Sequence, residues 1–557
     1  MTIDLNQDQK LKLKTLFEKK KYSKFETEIE KLGSLENLPL FLIMGYAGSK
    51  VLNPDSKKDD YLKSTILFEK IYSKDKSNLE ALYNLIVSSI KAETSTYVLP
   101  HLNERYKNNK SDLKVIEGLA RIHFFLCNMD LSVKFFRELV KLNPISEIDG
   151  GRLTYLASMN YPSEINQQDY YNECIKLGET FDKFSNFKPF VDSGLKNKKI
   201  KIGFLSGDLR EHSVNFFIKD VISKIDKKKF HITAFSNLEL SRHHEVITKF
   251  YKSNFNDWYD IIDIPDNKLI DLIRSLNIDI LIDLNGFTFG NRANIFAARS
   301  AKIQIEWCGY NNSLGINNMD YILADSNLIK KDEHHLYKEK VIYIPGIWNA
   351  MCKPDSLPDI NPLPFKNDQT FKFGSFNSFR KISNDTIKVW SKILNNSKSE
   401  LYLKNSGGYN VEVYDALLKK FEKQGVDTKK IIFLKRSKKE EFMKDYYKID
   451  CALDTFPYTG VTTSFQSYLM GVPVLVMKGF NMNSRCGESI NKNLGLNELI
   501  ADDYDDYINK ASQIQDKKKL SNIRISLRKK VLDSVLFDTE KFTKDLSDIF
   551  ENLVKKY

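Results

Sequence analysis

The stretch CALDTFPYTGVTTSFQSYLMGVPVLV, residues 451–476, decides the fold of the second half of the chain. It begins with an apolar run, 451–453, that predicts a buried strand. A turn containing Gly460 follows, and the amphipathic segment 464–470 predicts a helix that a glycine and a proline stop. A second apolar run, 472–477, predicts another strand. The stretch therefore indicates a strand, a turn, a helix and a strand, which is the repeating unit of a parallel sheet.

Two threonines, Thr462 and Thr463, stand where this predicted helix begins. A helix N-terminus carries unpaired N–H groups and a partial positive charge, so it can bind an anion, and two hydroxyl groups add donors for a phosphate. The alternative is that one threonine only caps the helix, which is the commoner role of such residues. The rest of the chain decides between these interpretations.

Length and composition restrict the class of protein. A chain of 557 residues predicts two to four domains. No apolar run approaches the length of a membrane span and the N-terminus lacks a signal-peptide core, so we expect a cytoplasmic protein. The six cysteines are scattered without a CxxC pair, which predicts reduced thiols and no metal site. The net charge of +12 comes from dispersed lysines without a nucleic-acid-binding signature, so no nucleic-acid partner is expected.

Residues 1–190 have the helical period of a repeat array. Leu79 and Leu113 occupy equivalent positions 34 residues apart, and Phe68, Leu102 and Phe136 repeat the same step twice. A period of 34 residues is typical of tetratricopeptide-like helix pairs, although a plain helical bundle is the alternative. Stacked helix pairs form a concave surface suited to an extended peptide. No pattern in the sequence indicates an oligomeric state.

Residues 196–345 alternate strands and helices, which predicts a parallel sheet covered on both faces. The predicted strands are 200–205, 230–236, 262–264, 278–284 and 303–306. Ligands of such sheets bind outside the carboxyl ends of the strands. His212, Asn285, Thr288 and Tyr310 all follow strand ends and are candidates for such a site.

A proline-rich segment, 346–369, predicts a linker to a second lobe. The second α/β series covers 370–535, and 536–557 predicts a C-terminal helix that crosses back. An Asp-x-Asp pattern at 503–505 lies in a run of acids with no predicted strand before it. We interpret that run as solvent-facing and not as a metal site.

Five motifs occur in a fixed order: FLSGDLREHSVNFF, DLNGFTFGNR, GYNNSLGINNMDY, FGSFNSFRKIS and LDTFPYTGVTTSFQSYLMGVPV. Together they closely resemble the O-linked N-acetylglucosamine transferase family (glycosyltransferase family 41), including its bacterial and Spindly-like members. Helical repeats ahead of a two-lobed transferase are the layout of that family. The resemblance is dense over roughly 190–535, covers 1–190 in architecture only, and implies a GT-B fold with two Rossmann-like lobes.

The resemblance implies transfer of a sugar, with UDP-GlcNAc as donor, to serine or threonine of a protein that the repeats hold. It implies inversion at the sugar and needs neither metal nor cofactor. His212 and Lys381 match the catalytic positions, His212 lining the sugar and acceptor site and Lys381 contacting the diphosphate. The resemblance places Asn285, Thr288 and Tyr310 in the acceptor and sugar pocket. The positions that match nucleotide-sugar contacts are Asn377, Ser378, Lys381, Lys439, Thr462, Thr463 and Gln466.

Four residues depart from the pattern of the family: Phe287, Val461, Phe442 and Gln466. Phe442 and Gln466 stand at nucleotide-binding positions, so a different donor such as GDP-fucose is an open hypothesis. Phe287 and Val461 replace polar positions, so they leave the general base unassigned. Two more hypotheses stay open: a transferase that acts on asparagine or on a glycan, and a repeat scaffold that binds nucleotide sugar without turnover.

Overall fold

The computed structural model describes residues 5–143, 149–181, 199–366, 369–405 and 410–556. The chain divides into two compact units. The first contains residues 1–146 together with 410–419, and the second contains 147–409 together with 420–557. None of the described helices combines the length and the apolar character that crossing a lipid bilayer requires.

The first unit is built from consecutive helices. They are α1 Gln7–Glu18, α2 Tyr22–Glu30, α3 Leu40–Leu52, α4 Lys58–Lys74, α5 Leu79–Ala92, α6 Leu99–Asn108, α7 Leu113–Phe125 and α8 Met129–Leu142. The repeat prediction is confirmed, because α5 and α7 begin 34 residues apart and Phe68, Leu102 and Phe136 are fully buried. Gly118 on α7 lets the helix pairs stack closely, since a Cβ atom there would lie 2.6 Å from Ile86.

The repeat region ends earlier than the sequence predicted. Two helices of the predicted region 1–190, α9 Asp149–Ser158 and α10 Gln167–Thr180, belong to the second unit. The reason is visible in their contacts, because Tyr170 and Cys174 on α10 pack into the loop at Ser313, with which both make hydrogen bonds. Residues 182–198, between α10 and β1, lie outside the described residues.

The second unit contains two parallel sheets. The strands of the first sheet are β1 Ile200–Ser206, β2 Phe230–Ser236, β3 Asp257–Asp260, β4 Ile280–Asp283, β5 Ile303–Glu306, β6 Tyr321–Ala324 and β7 Lys340–Tyr343. They lie in the order β3-β2-β1-β4-β5-β6-β7, and every neighbouring pair is parallel. The helices of this lobe are α11 Asn215–Lys224, α12 Val246–Asn254, α13 Asp266–Ser275 and α14 Ala293–Ala297.

The second sheet carries the organising stretch of the sequence. Its strands are β8 Phe371–Ser375, β9 Ser399–Leu403, β10 Ile431–Phe433, β11 Cys451–Leu453, β12 Val474–Met477 and β13 Ile500–Ala501. They lie in the order β10-β9-β8-β11-β12-β13, again with parallel neighbours. The helices are α15 Asn384–Asn396, α16 Val411–Glu422, α17 Lys439–Phe442, α18 Thr462–Leu469, α19 Cys486–Asn493, α20 Tyr504–Gln513, α21 Lys517–Leu532 and α22 Thr539–Lys556.

The two-lobed α/β prediction is confirmed, with one strand misplaced and three missed. The third strand is Asp257–Asp260 and not the apolar run 262–264, which follows the strand as a turn. The strand β3 lies at the edge of the sheet, where residues are less buried than in a central strand. Its Trp258 and Tyr259 side chains are half-exposed, so the strand forms without a continuous apolar run. The short strands β6, β7 and β13 were not predicted.

The C-terminal helix α22 returns to the first lobe, as the sequence predicted. Its Phe550 ring packs against Phe230 on β2, and its Phe542 ring stacks on Trp307 beyond β5. The Thr539 hydroxyl at its start donates a hydrogen bond to Asp220 on α11. The chain therefore ties its last helix to the lobe that it left at residue 345.

Candidate active site

The loop after β11 is organised by a buried carboxylate. Asp454 is 1% exposed, and its Oδ1 accepts hydrogen bonds from the Gly460 amide at 2.7 Å, the Thr455 amide at 2.9 Å and the Asn377 side chain at 3.0 Å. Burial raises the pKa of Asp454 to about 6, and the bonds from the Gly460 and Thr455 amides act in the opposite direction. The contact with Asn377 joins this loop to the loop that follows β8.

The start of α18 has no side-chain cap. The N-cap residue is Val461, which has no hydrogen-bonding side chain, so neither threonine fills that position. The Thr463 hydroxyl donates to Asn377 Oδ1 at 2.7 Å instead. The N–H groups of Ser464 and Phe465 donate to the Val461 carbonyl, and no side chain caps the start of the helix. Binding of a phosphate there stays a prediction.

Glycine at position 460 permits the close approach of this loop to the helix. A Cβ atom there would lie 2.7 Å from Ser464 Oγ and 2.8 Å from Thr463 Oγ1. Both distances are below those of ordinary contacts, so any larger residue would push the loop away from the start of α18. The turn glycine of the organising stretch therefore lets this loop pack closely against the start of α18.

Lys381 reaches across to the same loop from the turn after β8. Its ammonium donates to the Thr459 carbonyl at 2.8 Å and lies 4.1 Å from the centre of the Tyr458 ring. Burial lowers the pKa of Lys381 to about 8, while the attraction of Asp454 acts in the opposite direction. The side chain is therefore mostly cationic at neutral pH. Thr459 precedes Thr462 by three residues, so their Cα atoms are at most about 10 Å apart.

The remaining predicted nucleotide contacts lie around these two loops. Ser378 precedes the short 3₁₀ turn Phe379–Lys381, and Gln466 lies on α18 one turn beyond Thr462. Lys439 begins α17, but its side chain falls outside the described residues.

A lysine that the sequence did not single out lies near α17. Lys404, after β9, is 3% exposed, forms an ion pair with Asp445, and lies 4.6 Å from the centre of the Phe442 ring. Phe442 stands at a predicted base-binding position. A buried cation therefore lies directly against a residue that departs from the family pattern.

His212 lies beyond β1 in the first lobe. Its Nδ1 is 3.6 Å from Asp208 Oδ2 and accepts a long hydrogen bond of 3.5 Å from the Val214 amide. Burial lowers the pKa of His212, and the nearby Asp208 carboxylate only partly opposes this. The imidazole is therefore neutral at pH 7, as a group that lines a sugar pocket can be.

The other predicted pocket residues hold loops in place. Asn285 is fully buried, accepts from the Gly207 amide at 2.8 Å and donates to Asp208 at 3.0 Å, so it joins the loops after β1 and β4. The Thr288 hydroxyl donates to the Asn285 carbonyl at 2.8 Å. Tyr310 is 7% exposed, and its hydroxyl lies 2.7 Å from that of Tyr170. These contacts support positioning of Asp208 and His212, and direct contact with a sugar stays a prediction.

Two buried acids at the strand ends were missed. Asp283 and Glu306 are paired across β4 and β5 and are at most 1% exposed. Burial raises the pKa of Asp283 to about 7 and that of Glu306 well above its usual range. Neither carboxyl oxygen of Glu306 has a hydrogen-bond partner among the described residues. The available signal was an acid at the last position of each strand, in ILID and in IQIE.

Polar contacts brace the two lobes of the second unit on the side of α19. Arg485 is 3% exposed and bonds to Glu333 at 2.7 Å, and the Ser489 hydroxyl donates to Asp325 at 2.7 Å. Gln167 on α10 accepts a hydrogen bond of 3.0 Å from Asn481 of the second lobe. Helix α10 therefore belongs to the scaffold that sets the distance between the lobes.

The acid run at 502–506 faces solvent, as predicted. Asp505 is 88% exposed, Asp502 pairs with Lys478 at 3.0 Å, and Asp503 caps α20. The expectation of no preceding strand is wrong, because β13 ends at Ala501. Within the described parts of the chain, no three His, Cys, Asp or Glu side chains cluster as a metal site would require.

Comparisons with known proteins agree with this geometry. The model of the family described as Glycosyl transferase family 41 matches residues 158–350 and 364–546. The match begins just ahead of α10 and covers both sheets, so it includes every loop described above.

Relatives carry the name "Probable UDP-N-acetylglucosamine--peptide N-acetylglucosaminyltransferase SPINDLY". The one from Solanum lycopersicum is 29% identical over 427 residues, which are 75% of this chain and 45% of the relative. The one from Eustoma exaltatum subsp. russellianum is 30% identical over 427 residues, which are 75% and 46%. The chain thus spans about half the length of the curated relatives it matches.

A solved structure shows the same fold. An O-GlcNAc transferase from Thermobaculum terrenum superposes with a TM-score of 0.80 at 23% identity, covering 93% of this chain and 97% of that one. The two parallel-sheet lobes are therefore of the GT-B type that the sequence predicted.

Proposed function

This chain belongs to glycosyl transferase family 41, and we propose that it transfers N-acetylglucosamine from UDP-GlcNAc to serine or threonine of a polypeptide. The observation that carries the proposal is the convergence of Lys381 and the uncapped start of α18 on one loop. That loop follows β11, beside β8, where the strand order of the second sheet reverses. Open α/β sheets bind their ligands at such a point.

The chemistry of the leaving group explains the need for these groups. When the acceptor oxygen bonds to the sugar C1, the bond from C1 to the diphosphate oxygen breaks and the diphosphate gains negative charge. A fixed cation and oriented N–H groups stabilise that charge more than the charge of the bound donor. Lys381 and α18 supply both, and we propose that they take the part that a divalent metal plays in other transferases.

The acceptor approaches from the first lobe in this proposal. Attack on the face of the sugar opposite the diphosphate inverts C1, and the hydroxyl proton leaves toward the side of His212. Phe287 is 4% exposed and packs against the Tyr310 ring at 5.5 Å, so it forms part of the pocket wall and accepts no proton. We propose that the helical repeats hold the polypeptide, consistent with the peptide acceptor in the names of the relatives. A cytoplasmic location stays a prediction.

Ligand-induced stabilisation tests the donor. UDP at a hundred times its dissociation constant should add about 2.7 kcal/mol to the free energy of unfolding. The measurement is the melting temperature with UDP, UDP-GlcNAc, GDP and GDP-fucose. A shift with guanine nucleotides alone would replace the donor in the proposal, and no shift with any of the four would refute the donor site.

Transfer is tested by mass spectrometry of polypeptides incubated with the enzyme and UDP-GlcNAc. The proposal expects a mass increase on serine or threonine that survives a chelator, because no step requires a divalent metal. Modification confined to asparagine, or activity abolished by EDTA and restored by Mg²⁺, would contradict it.

A further inference from the structure

A second cavity opens beside the proposed donor site. It has a volume of about 330 Å³ and is formed by the residues that follow β11, β12 and β13. Phe456 and Tyr504 stack on each other with ring centres 5.5 Å apart and together form one wall, and Phe480 forms a second aromatic wall. Phe480 is 38% exposed and Tyr504 42%, so two large aromatic side chains stand open at its mouth. Exposed aromatic surface of this kind marks binding sites.

The charges around the cavity select the ligand. Lys478, Asp502 and Asp503 line it, so the lining has a formal charge of −1 in a protein of charge +12. Lys478 uses only one Asp502 oxygen, at 3.0 Å, and Asp503 uses one oxygen to cap α20 at 2.8 Å. These contacts use one oxygen of each carboxylate, so the second oxygen can accept from a ligand, and both side chains are exposed.

The shape of the lining favours a cation on an apolar stem. Phe456, Pro457 and Met477 form the buried part of the cavity, where methylene groups can pack. Aromatic faces attract a cation by their quadrupole, and carboxylates at the rim accept its N–H groups. Lysine and arginine side chains combine these properties, because they bury the stem and keep the charged end near water.

The position of the cavity relates it to the polypeptide acceptor. Its wall residue Pro457 is two positions from Thr459, whose carbonyl binds Lys381, so their Cα atoms are at most about 7 Å apart. Both sites lie at the carboxyl ends of the strands of one sheet. A peptide residue three or four positions from the acceptor hydroxyl can span about 10–14 Å. An acceptor whose hydroxyl meets the sugar of the bound donor can therefore place a side chain from three or four residues away in this cavity.

We propose that this cavity binds a lysine or arginine side chain of the acceptor polypeptide, a few residues from the hydroxyl that receives the sugar. The inference rests on the proposed function, and it adds a sequence preference to it: a basic residue near the modified serine or threonine. The aromatic pair Phe456 and Tyr504 holds the stem, and Asp502 with Asp503 holds the charge.

Saturation-transfer NMR on the full-length protein tests the site without requiring turnover. The probes are acetyl-Ser-Ala-Ala-Arg-amide and its citrulline analogue, which has nearly the same shape but no charge. Saturation should reach the arginine methylenes, and the citrulline peptide should bind at least about fivefold more weakly, since a cation–π contact and an exposed ion pair each contribute a few-fold. Equal binding of the two peptides, or no saturation at millimolar probe, overturns the proposal.

Variants locate the binding. The double variant Asp502→Asn, Asp503→Asn keeps the cap of α20, because asparagine caps as well as aspartate, and it should remove the preference for arginine over citrulline. The matched control is Asp505→Asn, an exposed acid of the same run that does not line the cavity, and it should retain the preference. A preference lost equally in both would show a general charge effect and refute the site.

A separate measurement distinguishes failure of the site from failure of the proposed function. UDP-GlcNAc-dependent modification of the same arginine peptide reports transfer, while saturation transfer reports occupancy. Arginine-specific binding without any sugar transfer would keep the cavity and remove the transferase proposal. Sugar transfer without a preference for arginine would keep the transferase proposal and remove the cavity as a binding site for the acceptor.

Discussion

Replacing Lys381 by methionine removes the cation of the proposed donor site while keeping an unbranched apolar stem. The Lys381 ammonium makes a charge-assisted contact with the Thr459 carbonyl at 2.8 Å, and in the proposed function it turns to the diphosphate when the donor binds. Hydrogen bonds to charged groups are worth about 1.5–3 kcal/mol, so Kd for UDP should rise about 10- to 150-fold. If transfer occurs, kcat should fall by about 10²–10³, as when one oxyanion donor is removed.

The pKa of this lysine adds a second signature. With a pKa of about 8, Lys381 is about 90% charged at pH 7 and about 10% charged at pH 9. Wild-type affinity for UDP should therefore fall about tenfold over that range, because binding needs the protonated form. Lys381→Met has no such titrating group, so the ratio of the variant's Kd to the wild-type Kd should be about tenfold smaller at pH 9 than at pH 7. Taking the ratio cancels the titration of the nucleotide itself.

Isothermal titration of UDP at pH 7, 8 and 9 measures both effects. Lys381→Arg keeps the charge and should retain tighter binding than methionine at pH 9, since guanidinium stays protonated. Lys544→Met, an exposed lysine on α22, is the matched control and should bind UDP as the wild type does. A Lys381→Met protein that binds UDP within threefold of the wild type, or a Kd ratio independent of pH, would refute the donor site.

Two further substitutions test the loop and the buried acid. Thr463→Val removes the hydroxyl that donates to Asn377 at 2.7 Å, and it should weaken UDP binding by roughly fivefold to tenfold, about 1–1.5 kcal/mol. Thr463→Ser keeps the hydroxyl and should bind UDP as the wild type does. Equal Kd values for the two variants would contradict the role of the hydroxyl. Glu306→Leu should raise the free energy of unfolding by about 1–3 kcal/mol at pH 8, because the buried carboxyl has no partner among the described residues. Burial raises the pKa of Glu306 in the folded protein above its unfolded value of about 4.3, so the cost of burying Glu306 begins near that pH and grows as pH rises. If denaturation showed no larger stabilisation by Glu306→Leu at pH 8 than at pH 5, this account would be refuted.

Periodicity predicted most of the fold, and its failures have physical causes. Strands β2, FHITAFS, and β5, IQIE, were predicted at their observed bounds, because each is a short run rich in isoleucine, threonine or phenylalanine, which favour strands. The strand β3, DWYD, has no such run, and the tertiary pairing with β2 decides it. Likewise α9 and α10 have ordinary amphipathic periods, and only their long-range contacts assign them to the second unit.

The candidate site was predictable only where motifs matched. Lys381 and Thr463 were named from motif positions, and their contacts with Thr459 and Asn377 join the loop after β8 to the loop after β11. Asp454 was missed, because an aspartate at the start of a turn is ordinary turn chemistry. Two of its three hydrogen bonds come from the nearby residues Thr455 and Gly460, but the third comes from Asn377, 77 residues away, and no spacing in the sequence encodes that contact.

Asp454 is a buried acid beside the proposed diphosphate site, and its effect on Lys381 explains its presence there. Burial lowers the pKa of that lysine to about 8, and the Asp454 carboxylate opposes the fall, so the acid keeps the cation charged before the donor arrives. Asp454→Asn should therefore move the alkaline loss of UDP binding to lower pH. At pH 6 the same change should not weaken binding, because it removes a negative charge near the diphosphate. Asp427→Asn, an exposed aspartate that caps a short turn, is the control. If the alkaline limb stayed in place in Asp454→Asn, Asp454 would only be a loop anchor, and the charge of Lys381 would be maintained by other groups.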